Sequence, residues 1–151
     1  MRTFVFLHVL TMFVAVALSG GVDILLVRIA PTHDVRSIHA AFEARERFGR
    51  FIPLLFGVGL VFGLIAIFVE GFNPFAGWLL LAYPLFVAGI LVGALGIGRW
   101  AERVRVATAS AEAPSAEVLA LLDAPSVRYA IAAFWLLIAT LVFVMIMKPS
   151  F

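Results

Sequence analysis

The chain has 151 residues, 64% of them hydrophobic and 13% charged, with a formal net charge of +2 and no cysteine. Lack of cysteine excludes disulfides, thiolate metal sites, iron-sulfur clusters and a cysteine nucleophile. The basic residues are arginines interspersed with acids in two connecting segments, a pattern that fits membrane orientation and argues against nucleic acid as a partner.

Four apolar stretches, residues 4–27, 51–69, 78–98 and 127–147, each come close to the ~20 residues that a helix needs to cross a hydrocarbon core. The sequence therefore predicts an all-α membrane protein: one four-transmembrane-helix bundle over residues 1–151, with up-down topology.

Span one is the polar helix. At about 100° per residue, His8, Thr11, Met12, Ala15, Ser19 and Asp23 share one broad face, which is expected to point into the bundle. Asp23 is the one acid inside a predicted span, and a charge there faces a partner or a watery cavity. Arg28, Arg50 and Arg99 are its candidate counter-charges. The start of the chain also reads as a signal peptide, with Ala17-Leu18-Ser19 as a small-residue cleavage site. Because the apolar run resumes after Gly20-Gly21 and continues through Val27, it is read as a spanning helix.

After a break at Pro31-Thr32, residues 33–50 carry the marks of a cytoplasmic helix, capped by Thr32 or Asp34. Val35, Ile38 and Phe42 recur at helical spacing, and Glu43 with Arg47 and Glu46 with Arg50 form two acid-first pairs four apart. Phe48 and Phe51 mark the interface, and Pro53 falls in the first turn of span two, where a missing N–H costs little. Residues 70–77 can form only a tight turn, so spans two and three are antiparallel neighbours, with Phe72, Phe75 and Trp78 as an aromatic anchor. Pro84 predicts a kink in span three. The helix is expected to continue to about Val106 and to yield to a linker over Thr108 to Pro114. Ser115 then caps a short helix to Leu122, and residues 123–126 start span four.

Nine of the eleven basic residues lie in the two long connections, while the short turn has none. The excess places both long connections inside and both termini outside.

Three constellations are candidates for more than span formation. Gly59 with Gly63, the stripe Gly89, Gly93 and Gly96, and a weaker stripe of Ala132, Ala139 and Thr140 allow close helix approach. They are read first as intrachain packing, then as a surface for a homodimer or another membrane protein. Asp23 with Ser19 and Thr11 offers a polar path. His8 and Met12, with Met145 and Met147 at the same predicted side, supply imidazole and thioether donors of the kind copper(I) accepts. Haem held by two histidines is disfavoured, because His33 and His39 lie about 35 Å from His8 along the chain axis. No cofactor is predicted, copper or haem standing as lesser alternatives.

The opening Phe6-Leu7-His8-Val9-Leu10, the Gly20-Gly21 pair followed by Leu25-Leu26-Val27-Arg28, and the closing Met145-Ile146-Met147-Lys148-Pro149 together resemble the domain-of-unknown-function 2269 family. That resemblance implies a small four-helix integral membrane protein without an assigned activity. More distantly, the His-bearing first helix is similar to that of copper-resistance D and membrane protoporphyrinogen-oxidase type bundles, from which this chain departs in lacking their further intramembrane histidines. No catalytic set assembles in the sequence. The expected function is a non-enzymatic accessory or interaction subunit of a plasma or bacterial inner membrane, with a small transporter using Asp23 as the alternative.

Overall fold

A computed structural model describes residues 2–149 except 30, 31, 33, 110, 112 and 114. The predicted Pro31 break, His33 and the end of the linker at Pro114 fall outside the described residues. All regular structure among them is helical: α1 (Thr3–Ile29), α2 (Val35–Gly49), α3 (Phe51–Val69), α4 (Gly77–Leu91), a π-helical segment (Val92–Gly98), α5 (Arg99–Thr108), α6 (Ala116–Leu122) and α7 (Pro125–Met147). Four helical runs are long and apolar enough to cross a membrane, and they contain the four predicted spans.

Two of those runs extend well past the hydrocarbon requirement. α2 leads into α3 through Arg50, which keeps helical dihedrals (φ −66°, ψ −24°), so residues 35–69 form one 35-residue run. α4, the π segment and α5 form another run of 32 residues, whereas α6 and α7 are separated by a turn at Asp123-Ala124, where Ala124 leaves helical conformation (φ −57°, ψ 117°). At about 1.5 Å per residue each of the two long runs is near 50 Å, well over the ~30 Å of a bilayer core. The surplus lies at the end that holds α2, α5 and α6, where these helices pack together as a layer of their own.

Local chemistry explains the boundaries. Asp34, in extended conformation, accepts the Arg36 N–H at 3.3 Å and caps α2, while Thr32 donates to the Ile29 carbonyl at 2.8 Å. Ser115 accepts the Val118 N–H at 3.2 Å and caps α6. Pro125 opens α7 in the first turn, where its missing N–H would have had no partner. Between α3 and α4, Gly71 takes φ +72°, a left-handed conformation that suits glycine.

Packing divides into two clusters. In the α2–α5–α6 layer, Leu26, Ile38, Phe42, Val104 and Val118 are fully buried, Phe42 meets Trp100 edge-on at 5.2 Å, and the Trp100 indole donates to the Leu121 carbonyl at 2.8 Å. That bond satisfies one of the orphan carbonyls at the end of α6. In the bundle, Ala15, Phe56, Ile97 and Phe134 form a smaller core. There α1 packs chiefly on α3, and α7 on α4 and the π segment.

Several details depart from the sequence-based expectations. The π-helical segment was not expected: Pro84 lies inside α4, and α-helical geometry is lost about two turns later, at Val92–Gly98. A Cβ on Gly96 would stand 2.9 Å from the Ala130 Cβ, and one on Gly98 3.3 Å from the Gly93 carbonyl, so the segment is built of glycines where the backbone is most crowded. The expected small stripe of α7 points outward: Ala132 and Ala139 are exposed, and Ala130 and Phe134 face the glycines instead. Glu43 pairs with Arg47 at 3.5 Å, but no Glu46–Arg50 ion pair forms among the described residues.

Candidate functional site

The polar face of α1 points into the bundle along its whole length, with Ala15, Ser19, Asp23 and Leu26 buried and His8, Thr11 and Met12 half-buried. What lies against it is side chain and backbone. His8 Nδ1 is 2.7 Å from the Gly59 carbonyl oxygen. A carbonyl only accepts, so Nδ1 carries the proton, and in the neutral ring the lone pair is on Nε2. Gly63 sits under the same imidazole, its would-be Cβ 2.8 Å from Nδ1, and Gly59 lies under Met12 with its would-be Cβ 3.0 Å from the Met12 methyl. The two glycines of α3 thus admit the two bulky residues of α1, and the stripe is used within the chain.

The hydroxyls of this face are spent on their own helix. Thr11 donates to the Leu7 carbonyl at 2.6 Å and Ser19 to the Ala15 carbonyl at 2.9 Å, the local i to i−4 bond that hydroxyl residues make inside helices. Thr11, three residues from His8, is thereby engaged on Leu7, and the group that orients the imidazole is the Gly59 carbonyl.

Asp23 is 8% exposed. The charge acting on it is Arg45 of α2, and none of Arg28, Arg50 or Arg99 takes that part. The Trp135 indole of α7 approaches the carboxylate as well, and its ring edge lies over Gly20, 3.0 Å from that residue's would-be Cβ. Asp23 and Arg45 are not in direct contact: no nitrogen–oxygen approach within 4.0 Å joins them, and Asp23 Oδ2 and Arg45 Nε are both buried without a hydrogen-bond partner. Glu46 and Glu102 act on the same guanidinium, so the end of α1 meets a mixed-charge cluster drawn from α2 and α5.

Arg45 was legible in principle. The apolar stripe Val35, Ile38, Phe42 extends at the next helical step to residue 45, so this arginine occupies a core-facing position. A second missed contact is His39 Nδ1 to Thr108 Oγ1 at 3.2 Å, which joins α2 to α5 through a threonine that is 2% exposed.

The four metal-donor candidates divide between two helix pairs. His8 and Met12 pack on α3, whereas Met145 and Met147 belong to α7, whose main partners are α4 and the π segment, and Met147 is 61% exposed. No group of three His, Asp or Glu side chains converges among the described residues. At that end the α7 terminus is tied elsewhere: Lys148 Nζ stands 4.5 Å from the centroid of Phe72 and 5.2 Å from that of Trp78, and those two rings meet edge-on at 5.9 Å. Phe75, the third expected anchor residue, is exposed.

No protein-family model matches this chain, and neither a curated protein nor a solved structure shows significant similarity to it.

Proposed function

We propose that the protein is a non-enzymatic accessory or interaction subunit that uses four spans to hold a rigid helical layer at the membrane surface. The observation that carries this reading is the location of the largest fully buried side chains, around Phe42, Val104 and Val118 in the α2–α5–α6 layer. A chain that needed only to span would have no use for helices this long. The outer faces of the layer are charged, with Arg36, Glu43, Glu46, Glu102 and Arg103 exposed, as suits contact with a polar partner. Its arginines support placing this layer inside and both termini outside, in a plasma or bacterial inner membrane. Membership in the domain-of-unknown-function 2269 family belongs to the same proposal.

Photo-crosslinking residues at Arg36, Glu43 and Arg103, set against lipid-facing controls at Phe13 and Phe68, test the reading in native membranes. Adducts to one defined protein are expected from the layer. Their absence there, or their restriction to the lipid-facing controls, sinks the proposal.

A second reading, ion or proton handling at Asp23, is favoured by the unpartnered Oδ2 of a carboxylate that is 8% exposed. It requires α1 and α3 to part, because Ala15 and Met12 fill the face between Asp23 and His8. Proton flux in proteoliposomes that Asp23→Asn abolishes is the expected result, and flux equal in the two proteins would eliminate it.

A further inference from the structure

The outer face of α3 carries a shallow apolar groove lined by Pro53, Leu54, Gly57, Val58, Val61 and Phe62. All six come from one helix, and the notch exists because Gly57 has no side chain and nothing lies within 4 Å of where its Cβ would be. Residues 50, 53, 54, 57, 58 and 61 share one helical face, and the backbone through Arg50 is helical. The groove therefore runs straight down from Arg50. This arginine is exposed and has no carboxylate within 4.0 Å among the described residues. Arg47 lies on the same face one turn earlier, and its pairing with Glu43 is an exposed contact at 3.5 Å that solvent screens.

We propose that this face binds one anionic glycerophospholipid, its phosphate at Arg50 and Arg47 and an acyl chain along the groove. The dimensions agree: from Pro53 to Phe62 the helix rises about 14 Å, close to the ~15 Å depth of one leaflet's hydrocarbon. The chemistry agrees too, since the groove is apolar and Arg50 lies one turn beyond Pro53 on the same helical face, the level at which a headgroup would lie. Phe51, 52% exposed beside Arg50, marks that level as the interface. A second copy of the chain fits less well. Two copies with the same orientation, joined through this face by a two-fold axis, would bring Arg50 against Arg50, a like-charge contact that a phosphate relieves.

The test uses the full chain reconstituted into mixed phosphatidylcholine and phosphatidylglycerol vesicles, extracted gently and weighed by native mass spectrometry. Wild type is expected to retain phosphatidylglycerol in preference to phosphatidylcholine. Arg50→Gln should lower that preference about fivefold, the effect of one arginine near an anionic surface. Gly57→Leu should reduce retention of both lipids by filling the groove. Because the added side chain would project into open space, circular dichroism should show unchanged helicity in this variant. Equal retention of the two lipids by wild type, or an Arg50→Gln protein with undiminished preference, overturns the proposal. So does a wild-type dimer that Gly57→Leu splits while lipid retention stays the same.

Discussion

Around Phe42, the α2–α5–α6 layer buries large side chains completely, with Ile38, Val104 and Val118 at 0% exposure. Across the most apolar windows of the four long runs, only 11% to 22% of residues are buried inside the protein. With the layer outside the membrane, as proposed above, the contrast follows from the two solvents. In water, removing apolar surface is favourable at roughly 25 cal/mol per Å², so a layer outside the membrane is stabilised by burying large side chains. Lipid tails are as apolar as leucine, so inside the membrane that driving force is absent and close fit must hold the helices together. Large exposed residues such as Phe13, Phe68, Leu136 and Ile146 accordingly coat the bundle, and around its small core of Ala15, Phe56, Ile97 and Phe134 the closest approaches fall at glycine, with His8 over Gly63, Met12 over Gly59 and Ala130 against Gly96.

The largest expected effect breaks this comparison if it fails. Phe42→Ala should destabilise the layer by about 3–5 kcal/mol, the range for removing a buried aromatic from an aqueous core. Phe134→Ala, which removes a ring of similar burial (6% exposed) from the bundle, should cost clearly less, because lipid or a relaxed neighbour replaces its apolar contacts. Denaturation in mild detergent, followed by limited proteolysis of the α2–α5–α6 layer, measures both. Equal losses would mean that the two regions are held by the same force.

How much of this was legible in the sequence divides along the same boundary. Hydropathy and capping residues set the four spans, the start of α2 at Asp34, the cap at Ser115 and the inward polar face of α1, because each depends on neighbours within a turn or two. The π segment was not legible: proline marks only position 84, while the π-helical stretch Val92–Gly98 depends on its fit to α7, with Ala130 opposite Gly96 and Phe134 opposite Gly93. Asp23 was found but its partner was not, since sequence proximity favoured Arg28, whereas tertiary packing of α2 brings Arg45. Glu46 and Arg50 have the favourable spacing, yet both are exposed and make no ion pair with each other, an outcome that spacing alone does not decide.

A pair of glycine substitutions sharpens the account of the bundle. Gly96→Ala places a methyl 2.9 Å from the Ala130 Cβ, and neither atom can move without its backbone, so a loss of about 1–3 kcal/mol is expected. Gly57→Ala meets nothing, and the gain in helix propensity should leave stability equal or higher by up to about 1 kcal/mol. The opposite signs, read as shifts in thermal midpoint in one detergent, test whether glycine in this bundle is there for close approach. A destabilising Gly57→Ala would show that the outer face of α3 is also packed, against something other than lipid.

The smallest effect concerns pH and lies at the start of α2, where Asp34 is exposed. Asp34 has its carboxyl held below the ordinary value of 3.8, first by the Ser37 hydroxyl that donates to it and then by the Arg36 and Ser37 backbone N–H groups at the start of α2. A carboxylate whose native pKa is depressed binds its proton less readily when folded. Its contribution is therefore fully present above the unfolded value near 3.8 and disappears as the pH falls through the lower native value. Because Asp34 is fully exposed, water and salt weaken the contribution, and only local fraying of the first turn of α2 is expected. Proteolysis between α1 and α2 should accelerate on acidification across that window in wild type. Asp34→Asn should remove the pH dependence while keeping a neutral cap, and Ser37→Ala should return the transition toward the ordinary carboxylate range. If Asp34→Asn frays with the same pH profile as wild type, another carboxylate governs the junction, with Glu43 and Glu46 on the following turns of α2 the next to replace.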